Sequence, residues 1–152
     1  VGAIPGAIPF MLGWVAARND FDIESGTLFA IQFIWQFPHF WAIGWMLHED
    51  YARAGYNLLP TGKRDASSAL QAFVYTFALL PLSLLPAFGL TGTLVLSPVG
   101  ALLILVLGIF LIIRAGQLLR FRTEKAARRL MLGSVLWLTL MQIVFVLDRY
   151  LI

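Results

Sequence analysis

The chain of 152 residues contains no cysteine, which excludes disulfides and thiolate metal sites. Charge is scarce too: Asp, Glu, Lys and Arg make up 12% of residues against 60% hydrophobic, with a mean hydropathy of +0.84. That balance excludes an ordinary soluble domain. Histidine occurs twice, and nine positions of helix put His39 and His48 on different faces about 13 Å apart, so the pair is no metal motif. The HEDYA stretch lacks the second histidine of a zincin. No basic segment precedes the first apolar run at Val1, so no cleaved signal peptide is visible, and further upstream sequence is expected.

Long uncharged runs are what the chain has instead. Ser25 to Leu47 and Leu130 to Leu147 are each long enough for one span, Ala66 to Ile113 for two, and Val1 to Ala17 is a shorter run. The fold class read from them is all-α, a polytopic transmembrane helical bundle forming one domain over residues 1–152. Its spans are expected near 1–17, 26–47, 67–88, 95–113 and 130–147. Gly2, Gly6 and Gly13 in the first, and Gly100, Gly108 and Gly116 around the fourth, are expected packing positions. Pro38 should kink the second span, and Pro81 and Pro86 should bend the far half of the third.

The net charge of +3 and a pI near 9.7 do not point to nucleic acid, because the basic residues are concentrated. Arg114, Arg120, Arg122, Lys125, Arg128 and Arg129 fall in one expected loop, 114–129. With Arg53, Lys63 and Arg64 in the loop 48–66, they make nine cations on one side of the bundle against Arg18 and Arg149 on the other. The positive-inside rule puts both basic loops in the cytoplasm and the C-terminus outside. The acidic segment from Arg18 to Glu24 reads as a solvated exterior loop.

Residues 32 to 55, QFIWQFPHFWAIGWMLHEDYARAG, carry most of the polar chemistry. On a helix Gln36 and His39 lie within about 60° of each other, and intramembrane polar groups face a bundle interior or a wet cavity. His39 has three readings: a hydrogen bond to a neighbouring helix, a substrate contact, or a ligand to heme iron. Trp35, Phe37, Phe40, Trp41 and Trp45 surround it, and Trp45 falls where an interfacial belt is expected. At the boundary, Glu49, Asp50 and Arg53 stand within one turn. Such adjacent carboxylates either hold Mg²⁺ beside a substrate phosphate or merely cap the span as an interfacial charge cluster. In the first reading Arg53, Lys63 and Arg64 take the phosphate oxygens.

The stretch WQFPHFWAIGWMLHEDYARAGYNLLP resembles the signature of the heme-directed branch of the UbiA-type intramembrane prenyltransferases, the heme O synthases or protoheme IX farnesyltransferases. VGAIPGAIPFMLGW and the later spans are similar to the same branch, so the resemblance covers essentially the whole chain. It implies nine helices, of which these five look like the last, and two acidic motifs that together hold Mg²⁺ and a prenyl diphosphate. The first motif, of Asn-Asp-x-x-Asp type, is absent from these residues, and the 152 residues alone are expected to be inactive. The second departs from the superfamily's Asp-x-x-x-Asp form, since Ala54 stands four residues after Asp50.

What the resemblance implies is transfer of a farnesyl group from farnesyl diphosphate to a vinyl group of heme B, for terminal oxidase assembly, in the bacterial plasma (inner) membrane. Asp50 is then the first candidate for metal or diphosphate and Glu49 the second, with Tyr51 and Arg53 in support. His39, Gln36, Trp35, Lys63 and Arg64 are the substrate-binding candidates. Heme B, farnesyl diphosphate and the bilayer are the implied partners, with heme A synthase or oxidase assembly factors beyond them. A quinone or chlorophyll prenyltransferase, a heme-binding subunit without catalysis and a transporter are the alternatives. The first should show a fuller acidic motif, and the last an inverted repeat that the chain lacks.

Overall fold

The computed structural model describes residues 3–150, which fold into helices α1 (Ala3–Arg18), α2 (Ile23–Met46), α3 (His48–Arg53), α4 (Ala66–Leu84), α5 (Pro98–Phe121) and α6 (Glu124–Asp148), with a 3-10 turn at Leu85–Phe88. Val1 and Gly2 lie outside the described residues, so the packing expected of Gly2 falls there too.

Local chemistry sets the helix starts. Asp22 caps α2 by accepting from the Ser25 amide at 2.9 Å, while the Asp22 amide donates to the Ser25 hydroxyl at 3.1 Å, a reciprocal pair that satisfies two otherwise orphaned donors. Asp65, Ser97 and Thr123 cap α4, α5 and α6 by accepting from the amides of Ser68, Gly100 and Ala126. The Ser68 amide and the Thr61 hydroxyl hold the Asp65 carboxyl below its usual range. For Asp22 the Ser25 amide does so first, opposed by burial and helped by the Trp14 indole.

Helix α2 is the hub. It packs on α1, α4 and α6, while α5 packs on α4 and α6, so that α2, α4, α5 and α6 close a ring and α1 leans on the outside of α2. Ile31, Trp45, Leu79, Ile104, Leu130 and Trp137 fill the interior. The outer faces are apolar as well: Leu70, Val74 and Phe77 on α4, and Leu102, Val106 and Ile109 on α5, are all exposed. Such a surface suits lipid or further membrane helices, and α4, α5 and α6 are each long and apolar enough to cross a membrane. Among the described residues α1 is a shorter apolar helix, and α2 has the length of a span but carries more polar groups.

The helices outrun the apolar runs that announced them. Residues 114–129, expected as a loop, form a helical hairpin in which only Arg122 and Thr123 connect α5 to α6. Arg122 takes the left-handed conformation, φ 51°, that ends α5. Lys, Arg and Glu are good helix formers, so charge marks where the lipid ends and leaves the backbone ladder free to continue into water. The third apolar segment likewise divides: α4 runs through Pro81 to Leu84 and then tightens into the 3-10 turn around Pro86. Helix α2 continues through Pro38, which is buried.

Gly108 lies beneath the Leu80 side chain at the contact of α4 and α5, where an added Cβ would collide with the leucine Cδ1. Gly108→Val should therefore destabilise the bundle by about 1–3 kcal/mol through overpacking, read as a lower unfolding temperature in detergent. The other expected packing glycines differ. Gly6 and Gly100 lie against Gln36 and Asp148, a Cβ at Gly116 would make only an ordinary contact with Phe73, and one at Gly13 would meet no other described side chain within 4 Å.

Candidate active site

Three loci of polar chemistry lie along α2: at its α3 end, near its middle and at its far end. At the α3 end, Glu49 and Asp50 are in the first turn of α3 and both are exposed. The Arg53 guanidinium stands 3.9 Å from the Asp50 carboxylate, with both side chains largely in solvent, so this is a loose pair that a stronger ligand can displace. Tyr51 is half-buried beside them. Arg64 ties the end of the bundle together: it donates to the Met46 carbonyl at the end of α2 at 3.3 Å and pairs with Glu124 of α6 at 3.0 Å. A cation is favourable there because the last carbonyls of a helix are unsatisfied and negative. Its Nε is buried with no hydrogen-bond partner among the described residues. Lys63 is exposed, and its backbone carbonyl accepts from the Ser68 hydroxyl.

Near the middle, His39 faces α6. Its Nδ1 lies 2.8 Å from the Ser134 hydroxyl, and its ring stacks on Trp35 at 4.6 Å and 15°. The Trp35 indole in turn donates to the Ser134 carbonyl at 2.8 Å. Gln36 does not share this wall, since its amide lies against Gly6 of α1. The two residues are near one another on the helical wheel, but different neighbours flank them. Gln36 Nε2 and Gln32 Oε1 are buried without partners among the described residues, which is unusual enough to need a reason. Phe37 and Trp41 pack on Tyr75 of α4, each at 5.0 Å, and Phe40 is exposed. Trp45, expected at the interface, is fully buried in the core.

At the far end, residues 18–21 of the acidic segment are exposed as its composition suggests, but Glu24 is drawn into the bundle. Glu24 is only 4% exposed and accepts from the Thr93 amide at 2.5 Å and the Thr93 hydroxyl at 2.7 Å. Asp148 at the end of α6, equally buried, accepts from the amide and hydroxyl of Ser97. Two carboxylates on separate helices thus grip the 89–97 connection, each through one residue's amide and hydroxyl. Gly92 and Gly100 leave room for them. No local motif announced this clamp, because its partners are 69 and 51 residues apart. Beside it lies a cavity of about 580 Å³ lined by Phe10, Trp14, Leu28, Gln142, Phe145 and Arg149, among others. Eleven residues of helix, about 16 Å, separate Leu28 from His39, so this cavity belongs to neither the histidine nor the acidic pair.

Among the described residues no three His, Asp or Glu side chains gather as a metal site. Glu49 and Asp50 alone fit the sparse mode of Mg²⁺ binding, in which one or two carboxylates suffice and water and substrate phosphate complete the shell. Their exposure leaves room for those further ligands.

Residues 1–144 match the model of the UbiA prenyltransferase family. Proteins named protoheme IX farnesyltransferase are 57% identical in Flavobacterium psychrophilum and 58% identical in Flavobacterium johnsoniae, each over 151 residues, covering 99% of this chain and 50% of the relative. One from Christiangramia forsetii is 55% identical over 150 residues, again 50% of its length. The chain thus spans about half the length of the curated relatives it matches. No solved structure matches it. An all-helical bundle with a lipid-compatible surface, an acidic turn at one helix end and a family match over nearly the entire chain lead to one conclusion: this chain belongs to the UbiA prenyltransferase family.

Proposed function

We propose that the chain is part of an enzyme that transfers a farnesyl group from farnesyl diphosphate to a vinyl group of heme B, giving heme O. The observation that carries this reading is the pairing, on one helix hub, of an exposed Glu49–Asp50–Arg53 turn with an oriented His39 deeper in the bundle. The names of the relatives favour the same chemistry. The α3 end then faces the cytoplasm of a bacterial plasma membrane. Nine of the eleven Lys and Arg residues lie toward it, and Arg64 joins the ends of α2 and α6 there.

Asp50, with Glu49 beside it, would hold Mg²⁺ next to the diphosphate headgroup. Bound there, Mg²⁺ would supply charge stabilisation to the departing diphosphate. Arg53 exchanges its loose contact with Asp50 for a diphosphate oxygen, a charge-assisted bond that strengthens as the C–O bond breaks and negative charge collects on the leaving group. Tyr51 stands at the same headgroup. Arg64 serves as a fixed positive neighbour through its bonds to Met46 and Glu124, and Lys63 as a mobile one in solvent. As the C–O bond to diphosphate breaks, the farnesyl carbon is electrophilic and bonds to the terminal carbon of the heme vinyl group. The cation left on the carbon next to the ring then takes the oxygen of water, which releases a proton to give the hydroxyl. His39 meets the porphyrin with Trp35 stacked behind its ring, while the unpartnered Gln36 amide, which faces α1, would serve a substrate group only on that side. The surrounding apolar helices keep water from the electrophile before transfer.

Incubating the natural protein, in its own membranes, with heme B and farnesyl diphosphate should yield heme O by mass. The yield should collapse with a magnesium chelator and return on adding Mg²⁺. Heme binding without any mass change would favour a non-catalytic heme subunit. Transfer to a quinone in preference to heme would place the protein in another branch of the family.

A further inference from the structure

We infer that Ser134 is a positioning residue that fixes the ring orientation and tautomer of His39, leaving Nε2 free to coordinate the iron of a porphyrin substrate. This rests on the reading above that His39 meets the porphyrin. Ser134 has a single hydroxyl proton, and the hydroxyl lies 2.7 Å from the Met131 carbonyl, one helical turn back. A proton donated to that carbonyl leaves the oxygen as an acceptor, so the bond at 2.8 Å to His39 Nδ1 is donated by the imidazole. The neutral ring then carries its proton on Nδ1, and the lone pair is on Nε2. The ring's bond to Ser134 is made through Nδ1, so Nε2 is the nitrogen left for a further ligand.

Two further contacts hold the ring. Trp35 stacks on one face at 4.6 Å, and its indole is itself anchored on the Ser134 carbonyl at 2.8 Å. Phe40 meets the ring edge-on at 5.6 Å. Ser134 is wholly buried, so both its hydroxyl and its carbonyl serve α2 rather than water. A histidine whose second nitrogen donates to a fixed acceptor is the usual arrangement for a metal-ligating imidazole, because that bond sets the ring and raises the basicity of the coordinating nitrogen. The same seryl residue therefore controls His39 from two sides, directly through the hydroxyl and indirectly through the tryptophan.

The test uses the intact natural protein in lipid nanodiscs, with heme B as the probe. Heme affinity and the iron–histidine stretching frequency of the ferrous complex are measured for the wild type, Ser134→Ala, Ser134→Cys and His39→Ala. Ser134→Ala should lower the stretching frequency, as expected when Nδ1 loses its acceptor, and weaken heme binding about tenfold. Ser134→Cys, close in size but a poorer acceptor, should fall between. If His39→Ala removes the iron–histidine band while both serine variants keep the wild-type frequency and affinity, the role given to Ser134 is wrong and that of His39 stands. If His39→Ala leaves the band in place, His39 is not the ligand and both readings fail. A cysteine variant as impaired as the alanine one, or more so, also overturns the hydrogen-bond role, since loss would then follow packing and not acceptor strength.

Discussion

Asp50→Asn should abolish heme O formation while leaving heme binding nearly unchanged. The substitution keeps the size of the side chain and replaces a negative oxygen with an amide, so the fold of an exposed turn has no reason to respond. What it removes is the charge that holds the magnesium–diphosphate headgroup, and with it the path by which leaving-group charge is stabilised. Loss of one such group from a site of this kind costs on the order of 10²–10³ in rate. The neighbouring Glu49 cannot substitute in place, because adjacent residues on a helix point about 100° apart. Product formation measured by mass in membranes, alongside a heme titration of the same preparation, separates the two functions. Normal turnover by the asparagine variant would remove Asp50 from the metal site.

His39→Ala should do the reverse, weakening heme use by about 10- to 100-fold, the scale found when a metal site loses one of its organising groups, with little change in farnesyl diphosphate binding. The separation expected between the two substrates follows from position. His39 is in α2 and turns toward α6, whereas Asp50 is in α3, beyond the break at Leu47, on an acidic turn that lies in solvent. Alanine also leaves the Ser134 hydroxyl without its imidazole partner, but that hydroxyl keeps its bond to the Met131 carbonyl, so no buried donor is stranded. Steady-state measurements that vary each substrate in turn decide the matter. Equal losses for both substrates, or none for either, would count against a porphyrin-side role.

How far each part of the molecule could be read in advance depends on the range of the interactions that set it. Asp50, Glu49 and Arg53 were legible because their spacing within one turn is a property of a short segment, and the structure keeps them together. Gln36 and His39 were also placed by local geometry, about 60° apart on one helix, yet α1 faces the first and α6 the second. A helical wheel gives direction without saying which neighbour lies there. Ser134 carried no motif, being one hydroxyl in an apolar run, and acquires its importance from a partner 95 residues away. The five aromatics around His39 divide for the same reason: Trp35 turns to α6, Phe37 and Trp41 to Tyr75 of α4, Trp45 to the core and Phe40 outward.

By themselves, the uncharged runs determined that the chain is helical and lives in lipid, because backbone satisfaction in hydrocarbon permits little else. The residue types around Pro38 and Asp50 determined the family resemblance. The tertiary structure alone decided that the basic segment is a helical hairpin, that Glu24 and Asp148 are buried clamps on the 89–97 connection, and that Ser134 holds His39. The physical reason is common to all three. Hydropathy reports where a segment sits relative to water, a property each residue carries with it. Hydrogen-bond satisfaction of a buried carboxylate or imidazole depends on a donor or acceptor brought from a distant part of the chain, and only the packed bundle supplies it.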